Sequence, residues 1–450
     1  MADDALEVGE FIEARPLSAF QIFVFVLCTL IVLLDGFDAQ AIGYVVPELS
    51  GMLGIEPGAM WPILSAGLVG LMLGALLIAP LADRFGRRPV LLVSVGLVGV
   101  FSLATAWASD FDTLLILRFL TGLGLGGSMP NAIALTSEYA PARRRSLVVM
   151  AMFGGFTLGS IVGGLLSAQL VPEHGWRIVF VIGGVAPLAL LAFLLLTLPE
   201  SIRFLGLAET NRARIAALVR KIDPAAPVTD ATRIYARPPE AARMSVVHLF
   251  KDGRALTTLL LWVIFFMSLL DIYLLVNWLR TAMSETGAPQ RVAILIGTIL
   301  QVGGLVAVVP LAWAMDRRGP RATMAAAYLA AAVAIAGIGV FAGVSVWATV
   351  VAVFLAGFGV IGGQTAANAL AAVSYPTEIR STGVGWALGV GRVGSIVGPA
   401  VAGVLLTLDV SIRDIFLLSA VPALLAALAA LLLRAPSSKR PQTSPSAAPP

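Results

Sequence analysis

Charge is what this chain lacks most. Only 12% of its 450 residues are Asp, Glu, Lys or Arg, whereas 58% are hydrophobic and the mean hydropathy is +0.93. A soluble protein of this length could not keep so apolar a surface in water. Cysteine is nearly absent. Cys28 stands alone, which excludes an intrachain disulfide and leaves no thiol pair for metal or redox chemistry. The two histidines, His174 and His248, fall outside the apolar runs, and no nucleophile–base or metal-ligand constellation accompanies them. An enzyme is therefore the least supported class, and neither a metal nor another cofactor is expected. The N-terminal MADDALEVGE has no basic region, and the first apolar run is too long for a signal core, so no cleavage is expected.

What is present is a series of apolar runs long enough to cross a bilayer. They fall at 20–47, 59–81, 89–108, 112–137, 147–170, 177–198, 256–281, 291–313, 322–342, 346–373, 382–407 and 412–433. The fold expected is all-α and integral to the membrane. Of the 30 basic residues, Arg177, Arg291 and Arg413 fall in loops on one side, and Arg118, Arg280 and Arg392 fall within spans. The rest lie in the loops and tails of the other side, which the positive-inside rule makes cytoplasmic together with both termini. The net charge of +4 reflects that topology and does not point to nucleic acid.

The chain repeats itself at an offset of 235 residues. Phe119-Leu120-Thr121-Gly122 answers Phe354-Leu355-Ala356-Gly357, and Gly159-Ser160-Ile161-Val162-Gly163 recurs as Gly394-Ser395-Ile396-Val397-Gly398. At nearly the same offset, Asp83-Arg84-Phe85-Gly86 answers Asp316-Arg317-Arg318-Gly319. The division expected is a cytoplasmic segment 1–19, a six-helix half 20–198, a polar central loop 199–255, a second half 256–434, and a Ser/Pro-rich disordered tail 435–450. Residues 207–222 are expected to form a surface helix. Two such halves place a substrate site at the midplane between them.

Five formal charges lie deep in spans: Asp35, Asp38, Arg118, Asp271 and Arg392. Unpaired, each would cost roughly 2.5–3.5 kcal/mol even on lenient insertion scales, so they must pair, protonate or face water. Asp35 and Asp38, three residues apart, share one helical face. With Arg118 at similar depth they form a candidate proton site, in which loss of the arginine contact favours protonation; either aspartate, or both as a coupled unit, can carry the proton. The alternative is a static ion pair. Arg392 is suited to bidentate recognition of a substrate carboxylate, or to a permanent pair with Asp271. Asp271 is open between that pairing and a second coupling role. Asn277, Gln301 and Gln364 can bond a ligand or a neighbouring helix. Tyr273 and Trp386 are candidates for stacking on a ring. Gly155, Gly159 and Gly163, spaced by four, mark a close helix contact.

Three strings carry a family resemblance over nearly the whole chain. PLADRFGRR at 80–88 resembles the loop signature of the major facilitator superfamily, with Ala79 where glycine is usual. DGFD in the first span, RFLTGLGLGG in the fourth and YPTEIRSTG after the tenth resemble the superfamily's aromatic acid:proton symporters. The resemblance implies twelve helices in two pseudo-symmetric halves, with spans 1 and 4 lining the cavity. It also implies import of a benzoate- or hydroxybenzoate-class carboxylate with protons, across a bacterial inner membrane, by alternating access. It makes Asp83, Arg84, Gly86, Arg87, Arg88, Glu138, Arg145, Glu378 and Arg380 candidate gate residues; the plainer alternative is that these charges fix topology and bind anionic lipid. Efflux antiporters of the superfamily usually have proline where Ser160 stands, which tilts toward uptake. Proton-coupled efflux, sugar symport and a transporter-like receptor remain rivals, and a monomer is expected.

Overall fold

The computed structural model describes residues 5–206, 212–226, 228, 233–235, 246–251, 253–375 and 379–433. Glu378 and the tail 435–450 lie outside the described residues. Twelve helices are long and apolar enough to cross a membrane, as the apolar runs require. They are α1 (Ala19–Ala41), α2 (Pro57–Phe85), α3 (Arg87–Thr105), α4 (Phe111–Tyr139), α5 (Arg143–His174) and α6 (Arg177–Thr197) in the first half. The second half has α7 (Ala255–Glu285), α8 (Gln290–Arg318), α9 (Pro320–Phe341), α10 (Val346–Ala371), α11 (Thr382–Thr407) and α12 (Ile412–Leu432). Several start on side-chain caps that satisfy their first amides. Ser18 and Gln21 form a reciprocal capping box at α1, and Asp110 accepts from the Thr113 amide at α4.

The first run does not stay helical to residue 47. The helix stops at Ala41, four turn residues follow, and a short helix, Val46–Leu53, starts with Pro47 in its first turn. Proline is tolerated there because a first-turn amide has no intrahelical acceptor. The break carries Glu48 sideways, off the axis of α1.

Glycine sets the helix contacts. A side chain at Gly159 of α5 would collide with the backbone of Leu33 in α1, and one at Gly394 of α11 with that of Phe266 in α7. The small-residue contact expected at Gly159 is thus present, and Gly394 repeats it in the second half. The two glycines are 235 residues apart, but the residues they touch are 233 apart. Ser94 of α3 and Ala327 of α9, which touch Gly124 and Gly359, repeat the same difference. Helices α1 and α3 therefore map onto α7 and α9 with a register two residues shorter than α4 and α5 onto α10 and α11.

The two ends of the bundle differ. At the end remote from the loop Asp83–Arg88, one continuous apolar core runs through both halves, from Phe37, Val45 and Leu114 to Leu274, Ile294 and Ala420. At the basic end each half has its own core. Among the described residues, the hydrogen bonds and ion pairs that join the halves lie at the far end. Ser65 donates to the Ile396 carbonyl at 3.1 Å, and Glu48 accepts from Arg280 (2.6 Å between Nη1 and Oε2) and from Gln290. This conformation is closed at the far end.

The N-terminal segment is docked rather than loose. Strand β1 (Ala5–Glu7) pairs in parallel with β2 (Arg233–Tyr235) of the central loop. A short helix, Val8–Glu13, buries Val8, Phe11 and Ile12 in the same core that takes Ile215, Ala216, Val219 and Ile222 of the amphipathic helix Arg212–Ile222. Arg15 ties the two by an ion pair to Asp223 at 2.6 Å.

Candidate functional site

The first-half charges converge as their depths require, and the structure distinguishes the two aspartates. Asp38, 2% exposed, meets Arg118 at 3.3 Å through Oδ2 and accepts from Ser102 of α3 at 2.5 Å through Oδ1. Arg118, 3% exposed, also donates to Thr105 (2.9 Å) and Thr121 (3.1 Å), and its guanidinium lies 4.7 Å over the Phe180 ring. This shell of hydroxyls and an aromatic face holds the cation away from lipid. Asp35, 4% exposed, has no cation within ion-pairing distance among the described residues and accepts from the Ser128 hydroxyl of α4. An ionised carboxylate with one neutral donor is far worse solvated than one beside a guanidinium. Gly36, between the two aspartates, brings α1 onto α5; a side chain there would strike the Phe156 backbone. Ser160 bridges the same contact by donating to the Gly36 carbonyl at 3.0 Å.

In the second half, Arg392 of α11 is half-buried, and its one guanidinium contact among the described residues is a long one, 3.4 Å, to the Tyr273 hydroxyl. The permanent Arg392–Asp271 pair considered from sequence is not formed. Two residues along a helix point about 200° apart, so Tyr273 reaches α11 while Asp271, fully buried, sits beside Ser268 and Tyr328. Asp271 is thus not placed with Arg392 as a ligand to a common substrate. Asn277 is also diverted: its amide donates to the Tyr273 carbonyl one turn back at 2.7 Å, the usual local bond of a membrane amide. Among the described residues Gln364 reaches only Asn368 of its own helix, at 3.4 Å, and its buried carbonyl oxygen has no partner. Gln301 is buried on α8, with no hydrogen bond to a neighbouring helix among the described residues. Trp386, 47% exposed, stacks on Trp262 of α7 with 5.9 Å between centroids. That partner and its place a turn and a half before Arg392 set it apart from the Arg392–Tyr273 contact.

The loop charges form a network confined to the first half. Arg87 joins Asp83 (3.0 Å) to Glu138 (3.3 Å), and Glu138 accepts from Ser201. Glu200 caps α3 by accepting from the amides of Arg87 (2.8 Å) and Arg88 (3.2 Å). Arg88 donates to the Leu195 carbonyl at 2.6 Å, and the Arg84 guanidinium stands over the Phe85 ring. Gly86, at φ +98, makes the turn that a side chain would strain. Glu138 and Arg145 line a cavity of about 520 Å³ beneath the N-terminal helix, with Glu10 and Arg203. Arg380 opens the helix that contains α11. None of these contacts reaches the second half among the described residues, so in this conformation the cluster does not seal the basic end.

Sequence reasoning missed Ser102, Ser128, Glu48 and Gln290, and it left Arg280 without a role. Arg280 is 1% exposed and gripped by Glu48. Its burial inside a span was a usable signal.

Twelve spans in two halves of like design, with an acid–arginine cluster buried in one, define a membrane transporter. The Major Facilitator Superfamily profile matches residues 28–279 and 261–450. The chain is 44% identical over 427 residues to the 4-hydroxybenzoate transporter PcaK of Pseudomonas putida, covering 94% of each chain, and 42% identical over 430 residues to that organism's gallate transporter, covering 95% of each. It also superposes on the inward-open xylose transporter XylE of E. coli with a TM-score of 0.72 and 18% identity, over 93% of this chain and 98% of that one. The chain belongs to the major facilitator superfamily and, within it, to the family of aromatic acid transporters.

Proposed function

We propose that this protein imports a benzoate- or hydroxybenzoate-class carboxylate together with protons by alternating access. The observation that carries the reading is the division of labour between the halves. The first holds a buried acid–arginine cluster, Asp35, Asp38 and Arg118; the second presents a half-buried guanidinium, Arg392, with most of its donors unengaged among the described residues. A planar fork of donors suits an aromatic carboxylate, and the Tyr273 hydroxyl beside it suits a ring substituent. The names of the relatives, 4-hydroxybenzoate and gallate transporters, support the same class. A dedicated anion fork gives no advantage to a sugar carrier.

The energetics require coupling. A ring carboxylate is anionic at neutral pH, and bringing it inward costs about 2.3 kcal/mol per 100 mV. One proton cancels that charge. Protonation is assigned to Asp35, since its ionised form lacks a cation, while Asp38 and Arg118 neutralise each other. The basic end faces the cytoplasm of a bacterial inner membrane by the positive-inside rule, so the conformation closed at the far end is inward-facing. The protein works as a monomer, needs no cofactor besides the coupling proton, and meets anionic lipid with its loop arginines.

The test uses purified protein in liposomes under an inward proton gradient, with labelled 4-hydroxybenzoate as substrate and benzoate, protocatechuate and glucose as competitors. Accumulation that a protonophore collapses, and that ring acids but not glucose block, is the expected result. Failure to accumulate any ring acid overturns the reading.

A further inference from the structure

Asp271 is the one deep charge that the proposed function leaves idle. It is fully buried in α7, and neither carboxylate oxygen has a hydrogen-bond partner among the described residues. Two buried hydroxyls, of Ser268 and Tyr328, lie beside it and face each other. On the helices packed against α7, and on α9, the ionisable groups away from helix ends are Arg392 and Tyr328, and Arg392 is turned to Tyr273. An ionised carboxylate there has neither a cation nor a donor committed to it, a state that costs several kcal/mol. A protonated one is neutral, with an O–H to give and a C=O to receive, and so suits a pocket that offers hydroxyls but no cation.

The register between the halves sharpens the point. Residues of α1 and α3 map 233 positions ahead and residues of α4 map 235 ahead, as the glycine contacts show. Asp38 therefore maps onto Asp271, and Asp35 onto Ser268. The groups that contact the Asp38 carboxylate have no equivalents: Ser102 maps onto Ile335, and Arg118 onto Val353. The second half thus keeps the carboxylate of the repeat and drops its guanidinium.

We propose that Asp271 is a second proton-carrying site, so that two protons enter with each aromatic carboxylate and transport moves net positive charge inward. The idea rests on the import reading above. In the inward-facing conformation Asp271 is sealed and neutral. It exchanges its proton when rearrangement of α7 against α9 and α10 admits water. Each proton responds to the pH gradient, and the second, on Asp271, adds the response to voltage.

The experiment places wild-type protein and Asp271→Asn in potassium-loaded liposomes with no pH gradient, and valinomycin imposes an inside-negative potential. Wild-type protein is expected to accumulate labelled 4-hydroxybenzoate, approaching about fifty-fold at 100 mV, the equivalent of about 2.3 kcal/mol. Asp271→Asn is expected to lose that accumulation while keeping accumulation driven by a pH gradient. Homoexchange of labelled for unlabelled substrate, which needs no net proton movement, confirms that the variant is folded; Asp271→Ser serves if the Asn variant is not. A wild-type carrier that responds to pH but not to potential overturns the second site and leaves the import reading intact. A variant that keeps the voltage response overturns it too. Wild-type protein that moves no ring acid under either gradient overturns the import reading itself.

Discussion

At the scale of single residues, the distinction between Asp35 and Asp38 makes the sharpest prediction. Asp35→Asn keeps an acceptor for Ser128 but removes the site that takes a proton. Accumulation under a pH gradient should fall about tenfold per pH unit while homoexchange persists, and accumulation equal to the wild type's would contradict the assignment. Arg392→Lys keeps the charge and loses the fork. Substrate affinity should fall roughly ten- to a hundredfold, the range expected when a charged hydrogen-bond pair is lost, and titration of binding in detergent checks it. The charges themselves were legible in the sequence, because a carboxylate or guanidinium in an apolar run has few excuses. Their partners were not. Which of two aspartates meets Arg118 depends on a rotation of α1 that composition does not encode, and the serines that complete the site look like any other small residue at a helix contact. Asp271 and Arg392 lie at similar depth, yet the α7 rotation that sends Tyr273 to Arg392 leaves Asp271 beside Ser268 and Tyr328.

At the scale of elements, the turn after α1 matters more than its length suggests. It ends the first span six residues earlier than the apolar run implies and points Glu48 at Arg280 and Gln290. Hydrophobicity alone concealed it, since Ile42, Gly43, Tyr44 and Val45 are as apolar as the helix before them. Glu48 and Arg280 form an ion pair between the halves that must break when the far end opens. Removing one partner of a buried pair typically costs about 3–5 kcal/mol. Arg280→Ala should therefore shift the carrier toward the conformation open at the far end. The exchange Glu48→Arg with Arg280→Glu should restore part of the balance. Labelling of a cysteine placed at Ser65, in a background with Cys28 replaced, reports the shift; equal labelling of the single variant and wild type would show that the pair does not hold the far end shut.

At the scale of the whole molecule, twelve spans and two repeated halves were readable from the chain, but the docked N-terminal segment was not, because its partners lie more than 200 residues away in the central loop. The Arg15 guanidinium, aided by the Ala225 amide, holds the Asp223 carboxyl below its ordinary value. The depressed value means that this ion pair contributes fully above the ordinary aspartate pKa of about 3.9 and is lost as pH falls through the lower folded value. Protection of the amides of residues 8–15, relative to their intrinsic exchange, should therefore fall as pH drops below about 4. Asp223→Asn should show fast exchange at every pH, and an unchanged profile would mean that the apolar contacts of Phe11 and Ile12 hold the segment unaided. The shared apolar core at one end and the separate cores at the other have a physiological consequence. If the basic end faces the cell, this conformation has its door ajar to the cytosol. Ring acid that builds up inside meets a carrier already open to it, so uptake slows as the pool rises, and the cell is spared a toxic surplus of weak acid without any sensor or regulator.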